Sequence, residues 1–548
     1  MKKNSFEEGT IIATLAIFLV KILGMIYVIP FYSIVGADGG ALYSYAYNIY
    51  LLFLGISSAG LPNAISKIIS EYNALGLIEE KNRTYKLAKK ITMIISILSF
   101  AVLFVFAEEI GRFIIGDLKG TNTYADVAFV IRCVAPSILV IPFLSITKGY
   151  LQGHKYMGPS SVSQIIEQIV RIFIILCGSF LILKVFNGSL SLAIGLAVSG
   201  ALFGGITAYI YLKLKIKKWQ KELNLKEETI TKKQKISDKE IVKKIITYAI
   251  PFIIINIVTN IYNNTDQILV LRTLSKIGYP DSEVEFIASA ISTWSPKICM
   301  ILNAVAMGMT MSLIPTIVSA YSKKDKNEVE GKINKAISMI IYISLPLMLG
   351  LIILAIPAWK IFYGTNPYGP IILRLAVISA FFANIYMVIS TICQSLNKYA
   401  TVYIMSISGF VSNALLDIPL MLLMHKMGFE GFLGSLLASI FGFSLSCIIG
   451  LISLHHNENI RYKKVLEIVG KSLIPSIAMI IILSIVNMFL PFDVLTIFGA
   501  IITIIINALI GGLTFVIISY KLGIIDYIFG HEMINKIVKK LTLGKLNI

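Results

Sequence analysis

Long apolar runs separated by short polar stretches dominate this chain of 548 residues. A helix rising about 1.5 Å per residue needs about 20 mostly apolar residues to cross the hydrocarbon of a bilayer. Fourteen stretches qualify: 10–34, 42–70, 89–107, 125–147, 158–183, 189–212, 246–271, 286–320, 335–357, 369–392, 400–423, 430–454, 470–490 and 494–520. They are too long and too uniformly apolar for barrel strands, which alternate over about ten residues. The pattern therefore predicts an all-α polytopic membrane protein with about 14 transmembrane helices.

Composition agrees. The chain is 56% hydrophobic and 14% charged, with a mean hydropathy of +0.81. That excludes a water-soluble enzyme, a disordered chain and a disulfide scaffold. Cys133, Cys177, Cys299, Cys393 and Cys447 are scattered within apolar segments and read as small buried hydrophobes.

The net charge of +19 would suggest nucleic acid on a soluble protein. Its distribution points to a membrane instead. Alternate loops and both ends hold 36 Lys and Arg, and the opposite loops hold 7. This asymmetry predicts both termini in the cytoplasm and an even number of spans. No nucleic-acid partner is expected, and no cleavable signal peptide is evident.

One basic linker, 213–245, follows the sixth stretch. It divides an N-terminal lobe at 1–212 from a C-terminal lobe at 246–454. Two further spans occupy 455–520, and a basic tail occupies 521–548. The tail places Ile534, Ile537, Val538 and Leu541 on one helical face, as a helix lying on an anionic leaflet would, and a frayed basic tail is the equal alternative. A weak repeat relates the lobes. Ile65, Ile68, Ser70 and Tyr72 recur as Ile314, Ile317, Ser319 and Tyr321. Gln152 and Tyr156 recur as Gln394 and Tyr399. With six spans per repeat, both lobes enter from the same side, so a pseudo-twofold along the membrane normal relates them.

Soluble-enzyme motifs are missing. Gly470, Lys471 and Ser472 end like a phosphate-binding loop, but Val465 stands where its first glycine belongs. No HExxH occurs, and the outward loops are short, so no enzyme activity and no organic cofactor is expected.

Charges within spans are more informative, because each costs roughly 3 kcal/mol unless it meets a cavity or a partner. Lys21, Arg171 and Lys297 fall near the middle of spans one, five and eight, whereas Lys67, Arg132 and Arg374 lie near span ends. Gln164, Glu167, Gln168 and Arg171 form one polar stripe on a helix, with Glu167 and Arg171 spaced for an ion pair. Asp266 lies in span seven, and Asn413 and Asp417 share a face of span eleven. Oxygen ligands from two helices would hold a metal ion such as Na⁺, or an aspartate would carry H⁺; hydrogen bonds between helices are the plainer use of these residues. Pro30, Gly60 and Pro62 mark hinges, and Gly200 with Gly204 marks close helix packing. A cationic chamber at mid-membrane calls for an anion, either soluble or the pyrophosphate of a lipid-linked sugar.

Lys21 to Gly24, Ile29 to Phe31, Ala41 to Tyr47, Gly60 to Lys67 and Ser70 to Ala74 together resemble the first spans of the SpoVB/YtgP group. That group is related to the MurJ lipid II flippases and the Wzx-type flippases of the MOP exporter superfamily. The resemblance covers roughly residues 5–520. It implies two six-helix lobes plus two C-terminal helices. It also implies alternating access that carries a lipid-linked oligosaccharide, foremost lipid II, from the inner to the outer leaflet of a bacterial cytoplasmic membrane, beside the cell-wall synthesis machinery. Lys21 stands where MurJ proteins carry a cavity arginine, and Lys297 falls close to the basic position of span eight. Asp266, Asn413 and Asp417 match positions linked to sodium in some MurJ proteins. Tyr27 and the stretch 53–58 depart from the charged residues of the other MurJ branch. The expected substrate set is Lys21, Arg171, Lys297, Glu167 and Gln164. Alternatives are a flippase for a capsule, teichoic or spore-wall precursor, or a MATE-like exporter of cations.

Overall fold

The computed structural model describes residues 6–58, 60–219, 236–322 and 325–529. The described residues are overwhelmingly helical and include no strand. Eleven helical stretches among them are long and apolar enough to cross a membrane by length and composition. The three remaining sequence-derived spans, 10–34, 246–271 and 286–320, are also largely helical but fall outside that count. The chain is a multi-pass membrane protein.

The structure packs as two compact units, residues 1–297 with 413–435 and residues 298–412 with 436–548. The first unit begins with α1 (Phe6–Ile26), α2 (Val28–Ser58), α3 (Leu61–Ala74), α4 (Ile78–Val105) and α5 (Ala107–Ile115). It continues through α6 (Tyr124–Val134), α7 (Ile141–Gly153), α8 (Met157–Phe180), α9 (Leu190–Lys218), α10 (Asp238–Lys276), α11 (Asp281–Ser289) and α12 (Ser295–Ile298). The second unit holds α13 (Met300–Ser322), α14 (Lys326–Ile353), α15 (Ala355–Tyr363), α16 (Gly369–Ser395) and the first half of α17 (Tyr399–Lys426). It closes with α18 (Leu433–Glu458), α19 (Lys463–Phe489), α20 (Ile497–Lys521) and α21 (Ile524–Phe529).

Helix breaks fall where backbone chemistry demands them. The first break is at Tyr27, before Pro30, whose ring nitrogen cannot donate to the carbonyl one turn back. The stretch between spans one and two, expected as a loop, is helical with a kink at Gly36 (φ 70°). Gly60 adopts the left-handed region (φ 73°) and starts α3, with Pro62 in its first turn. Span four is interrupted by a 3₁₀ turn, Ala135–Leu139, which carries Pro136, and α7 restarts with Pro142 in its first turn. Capping boxes at Thr123/Asp126 and Ser237/Glu240 start α6 and α10.

Several helices run past their apolar cores into the basic stretches. The linker 213–245 is helical up to Lys218 and again from Asp238, and its residues 220–235 lie outside the described residues. The tail positions Ile534, Ile537, Val538 and Leu541 also lie outside them. One extension corrects the sequence reading: Lys148, taken as a loop residue, sits on α7, which continues to Gly153.

The internal repeat has a structural counterpart. After α7, the N–H of Lys155 donates to Gln152 and that of Tyr156 to Leu151. After α16, the N–H of Asn397 donates to Gln394 and that of Lys398 to Cys393. Lys155 (φ 66°) and Asn397 (φ 59°) hold the same left-handed position, at the spacing that relates Gln152 to Gln394. The pairs α4–α5 and α14–α15 match likewise: each long helix gives way to one of nine residues, capped by Gly116 or Gly364.

Within the second unit, Ser446 donates to the Met405 carbonyl at 2.8 Å, and Lys398 pairs with Glu458 at 2.9 Å. Within the first unit, α8 and α9 touch backbone to backbone. A Cβ built on Gly204 would meet the Glu167 carbonyl oxygen at 2.5 Å, and one on Gly200 the Arg171 carbonyl oxygen at 2.9 Å. Small residues permit this approach, and α9 thereby backs the helix that carries the polar stripe. Gly204→Ala should destabilise the protein by about 1–3 kcal/mol, as overpacking does. Gly470→Ala, with open space around its Cβ position, should not. Thermal unfolding of both variants in detergent checks this, and equal melting temperatures would contradict the packing argument.

Candidate functional site

The polar stripe of α8 does not end on its own helix. Glu167 Oε1 accepts from Arg171 at 2.8 Å, and its Oε2 accepts from Lys148 of α7 at 2.9 Å. One carboxylate therefore bridges two cations from neighbouring helices. The side chains of Lys148, Glu167 and Arg171 keep 12, 15 and 19% of their surface accessible, so none of the three is fully buried. Gln168 is buried with its Nε2 against Gly24 of α1, and Gln164 is half-buried on the same stripe.

α1 and α12 bring two more cations to this site. Lys21 and Lys297 are both half-buried and lie in electrostatic contact with each other. Lys297 is also in electrostatic contact with Arg171. Neither lysine forms an ion pair with any described carboxylate. Lys297 Nζ instead sits 5.6 Å from the centre of the Tyr27 ring and 5.7 Å from that of Tyr47, within the range where an aromatic face attracts an ammonium. Tyr43, Tyr47 and Tyr50 share one face of α2 at i, i+4, i+7 spacing. Tyr43 and Tyr47 stack at 5.2 Å, and Tyr47 and Tyr50 lie 5.8 Å apart. All three tyrosines are within electrostatic reach of Arg171.

The structure thus gathers Lys21, Arg171 and Lys297, as the sequence suggested, and adds Lys148 and four tyrosines. Lys148 was hidden because the apolar run appeared to end beside it. The tyrosine ladder was visible as a helical spacing, and Tyr27 as a departure from an arginine. Four cations share the site with one carboxylate.

The second set of residues also assembles. Asn413 Nδ2 of α17 donates to Asp266 Oδ1 of α10, and both residues are buried. Asp417, one turn further on, is fully buried, and neither of its carboxylate oxygens has a hydrogen-bond partner. Ser435 Oγ approaches Asp417 without closing a hydrogen bond. Pro419 leaves the Leu415 carbonyl without its helical donor. A Cβ on Gly434 would meet the Met421 nitrogen at 2.2 Å, so only glycine lets the first turn of α18 approach α17 here. A buried carboxylate with two open oxygens fits a hard cation or a proton. Among the described residues, no cluster of three His, Cys, Asp or Glu occurs.

A polar network lies between these two sets. Gln267, next to Asp266, donates to Ser44 at 2.7 Å and accepts from Asn48 at 3.0 Å. Asn48 also donates to Thr293 at 3.2 Å, one turn before Lys297. The network ties α2 to α10 and to the π-helical segment Ala290–Trp294.

Comparison with known proteins places this arrangement. Residues 6–321 match the family described as polysaccharide biosynthesis protein, and residues 251–418 match the MatE family. The chain is 30% identical over 535 residues to lipid II flippase MurJ of Bacillus subtilis (strain 168), covering 96% of this chain and 97% of that one. Among solved structures it resembles lipid II flippase MurJ in an inward closed conformation (TM-score 0.66, 19% identity, 94% of this chain and 99% of that one). It also resembles an inward-facing multidrug resistance MATE family transporter of the MOP superfamily (TM-score 0.60, 14% identity, 80% of this chain and 94% of that one). The chain belongs to the polysaccharide biosynthesis protein family and is a relative of MurJ.

Proposed function

We propose that this protein is an alternating-access flippase that moves a lipid-linked oligosaccharide cell-wall precursor, lipid II foremost, from the inner to the outer leaflet of the cytoplasmic membrane. The observation that carries this reading is the charge imbalance around Arg171. Lys148 and Arg171 share a single carboxylate, Glu167, while Lys297, in electrostatic contact with Arg171 and with Lys21, brings no carboxylate of its own. In a low-dielectric setting such an excess is stable only with an anion or water beside it. A diphosphate supplies several acceptor oxygens to ammonium and guanidinium donors. The tyrosine face of α2 supplies flat surface for a sugar or an isoprenoid, and the similarity to MurJ supports the same substrate class. A cation exporter needs an uncompensated acid here, and Glu167 is already held by two cations.

Asp266, Asn413 and Asp417 would hold the coupling ion, Na⁺ or H⁺. The ion would neutralise Asp417 and add rigidity between α10 and α17. The lobes at 1–212 and 246–454 would move about Pro30, Gly60 and Pro62, with both termini cytoplasmic. No covalent chemistry is required of the protein.

Lys21→Ala and Lys297→Ala should each slow flipping at least tenfold, since a lost charge-assisted contact costs about 1.5–3 kcal/mol, while the proteins still insert. Complementation of cells depleted of their own flippase tests this, together with identification of the lipid-linked intermediate that accumulates. Full rescue by both variants would refute the assignment. NaCl should raise the melting temperature of the wild type above its value in choline chloride, because a ligand at a hundred times its Kd adds about 2.7 kcal/mol. Asp417→Asn should abolish the difference. Identical curves in the two salts for the wild type would exclude a sodium site.

A further inference from the structure

The bridged carboxylate at Glu167 raises a question that substrate binding alone does not answer. Lys21 and Lys297 stand without a carboxylate, so this membrane-embedded site tolerates unpaired cations. Arg171 and Lys148, in the same site, are each clamped to Glu167. Helix gluing would need only one of these bonds. The geometry uses both: each oxygen of one carboxylate is assigned to one cation, and the two cations come from different helices. Two oxygens spread across an ammonium and a guanidinium is also how neighbouring phosphate oxygens would engage the same two donors.

The clamp is unsaturated. Arg171 Nε is buried and has no hydrogen-bond partner, although a guanidinium carries five donors. The Tyr50 hydroxyl is also buried and unpaired, within electrostatic reach of both Arg171 and Glu167. Buried donors of this kind are costly unless something completes them. Two orphan donors therefore stand beside a carboxylate that already occupies the best acceptor position.

We infer that Glu167 is an internal stand-in for the substrate's diphosphate, holding Lys148 and Arg171 in the empty protein and yielding them to the incoming phosphate oxygens, so that Lys148 is a fourth substrate-binding cation. This deepens the diphosphate reading above and rests on it. The exchange has a thermodynamic consequence. A ligand that takes both cations leaves Glu167 buried without a partner, and breaking a buried pair in that way is strongly unfavourable. The carboxylate thus subtracts from substrate affinity and helps to expel the diphosphate once the site opens to the other side. A transporter needs a site of this kind, because tight binding without release carries nothing.

The test uses the full-length protein in lipid nanodiscs. Binding of farnesyl diphosphate, farnesyl monophosphate and inorganic pyrophosphate is measured by calorimetry, and turnover is measured in proteoliposomes. Glu167→Gln should bind farnesyl diphosphate at least tenfold more tightly than wild type and turn over more slowly. Lys148→Met should bind it at least tenfold more weakly and show a smaller loss with the monophosphate. Inorganic pyrophosphate should follow the same ranking if the diphosphate is what Glu167 mimics; if only the farnesyl compounds follow it, the chain is being recognised and the stand-in role fails. Should Glu167→Gln not fold, Glu167→Asp, which withdraws the carboxylate by one methylene, should shift affinity in the same direction by less. Weaker or unchanged affinity in the Glu167 variants, with Lys21→Ala still impairing binding, overturns the stand-in role and leaves the diphosphate reading intact. Unchanged affinity in Lys21→Ala, Lys148→Met and Glu167→Gln alike overturns both.

Discussion

Unbalanced positive charge in a low-dielectric setting is the constraint from which the rest of this structure follows. Lys21, Lys148, Arg171 and Lys297 converge with one carboxylate to offset them. Repulsion among them is weakened only by what the helices provide. Glu167 pairs with two of them and offsets one charge, and the rings of Tyr27 and Tyr47 flank Lys297. Helix positions are then set by the need to hold these side chains without collapse. The glycines of α9 let it press directly on the backbone of α8 at Glu167 and Arg171. The break at Tyr27 places that ring against Lys297 instead of continuing α1 into α2.

The two functional sets are tied by hydrogen bonds. Asp266 is followed by Gln267, whose amide joins Ser44 and Asn48, and Asn48 reaches Thr293, one turn from Lys297. Asp266 lies on α10, the helix that carries Gln267 of this network, and Asn413 of α17 donates to it. The network is fully buried and hydrogen-bonded, which makes it stiff.

Much of this was legible in the order of residues. Apolar run length gave the helical, multi-pass character, and the i, i+4 spacing of Glu167 and Arg171 gave an ion pair that the structure contains. Lys21, Arg171 and Lys297 were singled out as charges too deep to be incidental, and they do meet. What escaped had a physical cause. Lys148 follows a run of apolar residues and precedes Gly149, so hydropathy marks it as the start of a loop. Only packing shows α7 carrying it against Glu167. Asp266 and Asn413, grouped in the sequence, do share the inter-helix hydrogen bond given there as their plainer use. Helix ends were also blurred, because helices such as α4, α9 and α10 continue beyond the apolar stretch into basic sequence. There the backbone hydrogen bonds persist although the hydropathy signal has gone.

The most direct measurement is the position of a lipid-linked diphosphate in the full-length protein, determined by cryo-electron microscopy in nanodiscs. The account predicts diphosphate density within hydrogen-bonding distance of Lys21, Arg171 and Lys297. Density at another place, with those three side chains turned toward acyl chains, would contradict it.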